Sequence, residues 1–142
     1  MASDESPHDD QDIRLAIQRL ARRIRSMQAD DDVTEGQRAV LFALSKNGPQ
    51  TLGSLSEHER VTPPSMNRTI NALVDLGLVT RKTAPDDARK VSLDLSSTGH
   101  AFVSETQRRR DAWFTTRLDA LPAEQRRLLR EVTPILRDLA DS

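Results

Sequence analysis

In the run VTPPSMNRTINALVDLGLV, Val61 to Val79, side chains able to hydrogen-bond flat polar edges recur at helical intervals. Taking Met66, Ile70 and Leu73 as an apolar stripe, with each residue turned about 100° from the last, centres the opposite face on Pro64, Arg68 and Asn71, with Ser65 and Asn67 beside them. Arginine can contact guanine through two hydrogen bonds, asparagine can do the same to adenine, and serine serves phosphate or base. That face therefore carries groups that read base edges, and it has no large apolar member. On an isolated helix the same residues would serve equally well as a solvated surface, so the neighbouring elements must decide between the two.

Other chemistries are poorly provided for. The absence of cysteine excludes disulfides, thiolate metal sites and a thiol nucleophile. His8, His58 and His100 are scattered at no metal-binding spacing. There is no Gly-x-Ser-x-Gly elbow, no phosphate-binding glycine loop and no His-Glu-x-x-His, so the sequence predicts no enzyme, metal or cofactor. Its longest apolar run, AVLFAL at Ala39 to Leu44, is too short for a bilayer, and its N-terminus is acidic where a signal peptide would be basic. A cytoplasmic protein without a membrane partner is expected.

The net charge of −1 hides a division along the 142 residues. Asp4, Glu5, Asp9, Asp10 and Asp12 crowd the first twelve positions without a base, which leaves 21 bases against 17 acids in the remainder. Between Arg60 and Lys90, six bases face three acids. By charge alone this segment is either a binding surface or an ordinary solvated one.

Those residues must be positioned by elements that the pattern also predicts. Residues 1–9 lack apolar periodicity and read as a disordered acidic lead. Ile13, Ile17, Leu20, Ile24 and Met27 form a narrow helical seam of the kind that packs lengthwise on another helix. Thr34 and Gln37 make a capping box for a helix bearing Val40, Leu41 and Leu44, and Thr51 starts a short helix with Leu52 and Leu55 on one side. Thr62 then caps a helix of about Pro63–Leu76, its two prolines tolerated in the first turn and Gly77 stopping it. The period next changes to two, giving a hairpin wing of about Leu78–Leu95 with turn chemistry in APDDAR. Ser96 to Thr98 cap a long helix, and Pro122 opens a last one that Pro134 should kink.

Short helices followed at once by a hairpin describe a winged helix-turn-helix, whose last helix before the hairpin enters a DNA major groove. The fold class expected is mainly α with a small β-hairpin. Residues 34–97 form the winged domain, and helices within 10–30 and 98–140 serve dimerisation through Ile13, Ile17, Leu20, Leu128, Val132, Leu136 and Leu139. An intramolecular bundle is the alternative for that seam. On the wing, Asp87 could hold Arg89 extended toward a minor groove, while Arg81, Lys82 and Lys90 lie over phosphates. The competing reading of the wing is a solubilising charged turn.

Leu73 to Gly99, LVDLGLVTRKTAPDDARKVSLDLSSTG, resembles the wing signature of the multiple antibiotic resistance regulator (MarR) family. The matches are Leu76 to Val79, Arg81, Pro85, Asp87, Arg89 and Gly99; Ala84 and Ala88 depart from it, standing where aspartate and a second arginine are common. The resemblance, extending over about residues 12 to 140, implies a homodimeric transcriptional regulator, more often a repressor, on a double-stranded pseudo-palindromic operator. It also implies a small aromatic or anionic effector held between the dimerisation helices and the winged domain. Arg14, Phe42 and Trp113 are candidates to line that crevice, and each serves equally well as a core or surface residue. A winged-helix module that holds a protein partner and no DNA is the alternative function.

Overall fold

The computed structural model describes residues 7–27, 33–84 and 86–142, excluding the side chains of Pro7, Ala84, Asp87, Ala88 and Arg89. Six helices and one hairpin follow in the order α1 (Pro7–Arg25), α2 (Glu35–Asn47), α3 (Leu52–Glu59), α4 (Pro63–Asp75), β1 (Val79–Ala84), β2 (Asp87–Leu95), α5 (Ser97–Asp119) and α6 (Ala123–Asp141). The chain is mainly α with a two-stranded antiparallel sheet, as the patterning predicts. It divides into two compact units: residues 29–107, and a helical unit of the segments up to 28 and from 108 onward. Helix α1 already begins at Pro7, inside the segment expected to be an acidic lead; residues 1–6 lie outside the described part.

In the winged unit every helix start has a chemical cause. The Thr34 hydroxyl accepts from the Gln37 amide and the Gln37 side chain returns to the Thr34 amide, a complete capping box. Thr51 accepts from Ser54, and Thr62 from Ser65 at 3.3 Å, with Pro63 and Pro64 in the first turn of α4, where no intrahelical amide is needed. The helix ends are equally specific. Beyond α4, Gly77 adopts φ +75° while its amide reaches the Val74 carbonyl and the Leu78 amide reaches Leu73, a Schellman closure. At the end of α3 the same closure recurs, Arg60 to Glu57 and Val61 to Ser56, but the left-handed position is held by Arg60 at φ 54°.

These elements enclose one apolar core. Val40, Leu41 and Leu44 of α2, Leu55 of α3, Met66, Ile70 and Leu73 of α4, Leu93 and Leu95 of β2, and Val103 of α5 are all buried. The hairpin pairs Val79 with Leu95, Arg81 with Leu93 and Thr83 with Val91, with an irregularity after Thr83. Gln50 adds an antiparallel bridge, exchanging both backbone hydrogen bonds with Leu93 at 2.9 and 2.7 Å. This third strand-like contact ties the α2–α3 connection to the wing, and the alternation pattern does not predict it, because one residue has no period.

Ser96 joins the wing to α5. Its hydroxyl accepts from the Gly99 amide at 3.0 Å and donates to the Gly77 carbonyl at 2.6 Å, while its own amide donates to Leu78. A Cβ at Gly99 would collide with the Leu78 carbonyl oxygen and press on Leu95. Glycine is required there for space, since no positive φ is involved.

In the helical unit, α6 continues through Pro134, and the Thr133 hydroxyl donates to the Leu129 carbonyl in the turn where proline removes an amide. None of the side chains of α6 is buried within the single chain.

Candidate nucleic-acid interface

The three residues Arg60, Val61 and Thr62 separate α3 from α4, a turn short enough to set the two helices at a fixed angle. Burial of Met66, Ile70 and Leu73 against the core fixes the rotation of α4 about its axis. Thr62, Pro64, Asn67, Arg68 and Asn71 are consequently exposed and Ser65 is half-buried. Arg68 and Asn67 have no protein partner among the described residues, leaving their donors open to a ligand. Leaving an arginine without an ion pair next to other cations favours a polyanion at this surface.

The wing divides its cations by face. Residues directly opposite in an antiparallel pair point the same way, so Arg81 shares the side of Val79, Leu93 and Leu95, which is the side turned to the helices. Lys82, one residue on, pairs with Ser92 and points to the other side. The two were expected to do the same work over phosphates; the strand period separates them. The Arg81 guanidinium turns to α4, where its Nη2 donates to Oδ1 of Asn71. A crevice of about 440 Å³ opens there, lined by Thr51, Leu52, Asn67, Ile70, Arg81, Lys90 and Leu93 among others.

Lys82 and Lys90 are exposed. Strand β2 begins at Asp87, so Asp87 and Arg89 belong to the strand rather than to the turn; their proposed pairing lies outside the described side chains.

The residues considered for an effector fall in different units. Phe42 packs against the winged core. In the helical unit, Arg14 is exposed and donates to Gln18 at 3.2 Å, and half-buried Trp113 carries Arg117 over its ring at 4.1 Å and Arg23 at 5.8 Å. Among the described residues no cluster of His, Asp or Glu is suited to a metal ion, and no helix is long and apolar enough to cross a membrane.

The apolar residues expected to serve dimerisation are open to solvent in the single chain. Ile13 is 59% exposed, Leu128 50% and Leu139 62%, and Ile17, Leu20, Val132 and Leu136 exceed a third. Leu15 on α1 and Leu129 and Ile135 on α6, which the expected dimerisation set leaves out, are comparably exposed. Sequence reading missed the Asn71–Arg81 contact, for which the only signal was that both could be polar and outward.

Comparison with known proteins agrees with this geometry. Residues 33–91 match the MarR family, covering α2 to the middle of β2. An HTH-type transcriptional regulator of Mycobacterium leprae is 37% identical over 130 residues, spanning 92% of this chain and 91% of that protein. The crystal structure of RV1404 from Mycobacterium tuberculosis superimposes with a TM-score of 0.83 at 25% identity, over 96% of this chain and 97% of the other. A MarR family protein from Bacillus stearothermophilus shares the fold, with a TM-score of 0.78 at 19% identity over 94% and 93% of the two chains. With a recognition-type helix, a wing and these relatives in agreement, the chain belongs to the MarR family of helix-turn-helix transcriptional regulators, which are not enzymes.

Proposed function

We propose that the protein is a homodimer that binds a pseudo-palindromic operator, with α4 in the major groove and the β1–β2 wing at the minor groove, and that it acts as a repressor in the cytoplasm. The observation that carries this reading is the partition of α4. Its apolar stripe is consumed by the core, while Pro64, Ser65, Asn67, Arg68 and Asn71 face outward beside the cationic wing. Arg68 reads a base edge; Lys82, Arg89 and Lys90 hold phosphates or the minor groove and fix register. The open apolar stripes of α1 and α6 support a twofold partner, which would set two reading heads about one helical turn apart.

A small aromatic or anionic effector releases the operator in this scheme, because a ligand that binds one head spacing better shifts the population toward it. The cationic frame of Arg23 and Arg117 around Trp113 supports such chemistry.

Gel-shift titrations over a salt series test the proposal. Affinity for a duplex should fall steeply and linearly on logarithmic axes through counterion release. A monomer with no affinity for any duplex at low salt would overturn it in favour of a protein-interaction module. Arg68→Ala should lower specific affinity by about 1–3 kcal/mol and relax preference at one base pair. Equal loss on all sequences would make Arg68 a phosphate clamp.

A further inference from the structure

We infer that Asn71 is a positioning residue: it anchors the wing's Arg81 to the recognition helix, so that α4 and the wing present one donor-rich surface to DNA. This rests on the DNA-binding reading above and reassigns a residue that composition alone would make an adenine reader. The two side chains come from separate elements, ten positions apart, and meet where the face of α4 turned from the core approaches the helix-side face of β1. Ile70 of α4 and Leu93 of β2, both buried in the same core, line the crevice beside Arg81, so neither backbone can drift from the other without opening the core.

The chemistry decides which role Asn71 keeps. Reading adenine through two hydrogen bonds requires an amide oxygen to accept from N6 and an amide nitrogen to donate to N7. One lone pair of the Asn71 oxygen already accepts from Arg81 Nη2, in the direction of the wing, which leaves a single acceptor position for a base. Beside that second lone pair, what remains is the Asn71 amide nitrogen and the other guanidinium donors, and guanidinium has no acceptor. Phosphate oxygens and the O6 and N7 of guanine fit such a surface better than the exocyclic amines of adenine and cytosine do. The tether also holds a long side chain in one rotamer before DNA arrives, which reduces the ordering that binding would otherwise require. Lys82 and Lys90, with no such anchor, remain flexible point charges.

A mutant cycle on DNA binding tests this. Fluorescence anisotropy is measured for the full-length wild type, Asn71→Ala, Arg81→Ala and the double variant. Two duplexes of about 30 base pairs are used: one selected by the wild type from a random pool, one of mixed sequence. Both residues are exposed, so unchanged thermal melting checks that every variant is folded.

Asn71→Ala should weaken binding roughly three- to thirtyfold in the wild type but less than about twofold once Arg81 is gone, because coupled residues are not additive. Preference at each A·T pair of the selected duplex should be unchanged in Asn71→Ala. An Asn71→Ala loss of the same size with and without Arg81, or one confined to a single A·T pair, overturns the inference and makes Asn71 a direct reader. Wild-type binding with additive losses sinks this inference alone; a wild type that binds neither duplex sinks the DNA-binding reading as well.

Discussion

At the scale of the residue, Arg60 is the position where conformation and chemistry pull in different directions. A left-handed backbone crowds the Cβ of any residue but glycine, at about 1–2 kcal/mol, and here the helix closure would be satisfied equally well by glycine. Keeping an exposed arginine in the turn that leads into α4 exchanges stability for a cation beside the proposed duplex. Arg60→Gly is therefore expected to raise unfolding free energy by about 0.5–1 kcal/mol in denaturant titrations while weakening duplex binding. A loss of stability would mean that the arginine side chain makes a contact that offsets its backbone. The sequence showed that Arg60 is basic; it gave no sign of φ, because left-handed closures are expected at glycine or asparagine.

Among the elements, α4 and the wing depend on a few local hydrogen bonds and one steric requirement. Thr62→Ala removes the acceptor for the Ser65 amide in a helix whose first two residues already contribute no amides. It should lower stability by about 1 kcal/mol, read as a lower melting temperature. Gly99→Ala forces a methyl group onto the Leu78 carbonyl, which also accepts from Ser96, at the seam between wing and α5. A loss of about 2–4 kcal/mol by denaturant titration is expected, near the upper range for single substitutions, since backbone rather than a flexible side chain must move. Here the legibility of the sequence is uneven. Thr62, Pro63, Pro64 and Gly77 announce the bounds of α4 through local chemistry alone, and the alternation of Leu93 and Leu95 announces the inner side of the wing. Gly99 stood out only as part of a family signature; the reason for it is a contact with a residue twenty-one positions earlier, which local pattern does not encode.

For the whole molecule, the open stripes are the largest unexplained feature of a single chain. Leu128, Val132, Leu136 and Leu139 run along α6 at helical spacing and none of them is buried. Exposing so much aligned apolar surface is unfavourable in water, by about 25 cal/mol for each Å² a partner would cover. Leu136→Asp should leave the monomer folded, since the side chain is already exposed, but it places unpaired charges in the proposed interface. Sedimentation should show a dimer constant weakened tenfold or more, by roughly 1.4 kcal/mol at least, with loss of affinity for a two-half-site duplex. An unchanged dimer would place the interface elsewhere.

By itself the sequence determined the starts of α2, α3 and α4, the switch from helical to strand period, the apolar stripes of those three helices and the outward polar face of α4. All of these depend on interactions within a few residues, or on a repeat that any solvent-facing element must obey. Only the tertiary structure decided which side of the wing each cation takes, that Gln50 pairs with Leu93, that Arg60 fills a left-handed position, and that Asn71 meets Arg81. Those outcomes are set by where separate elements come to rest against a shared core, and spacing along the chain carries no information about a contact between elements until that core has fixed their angles.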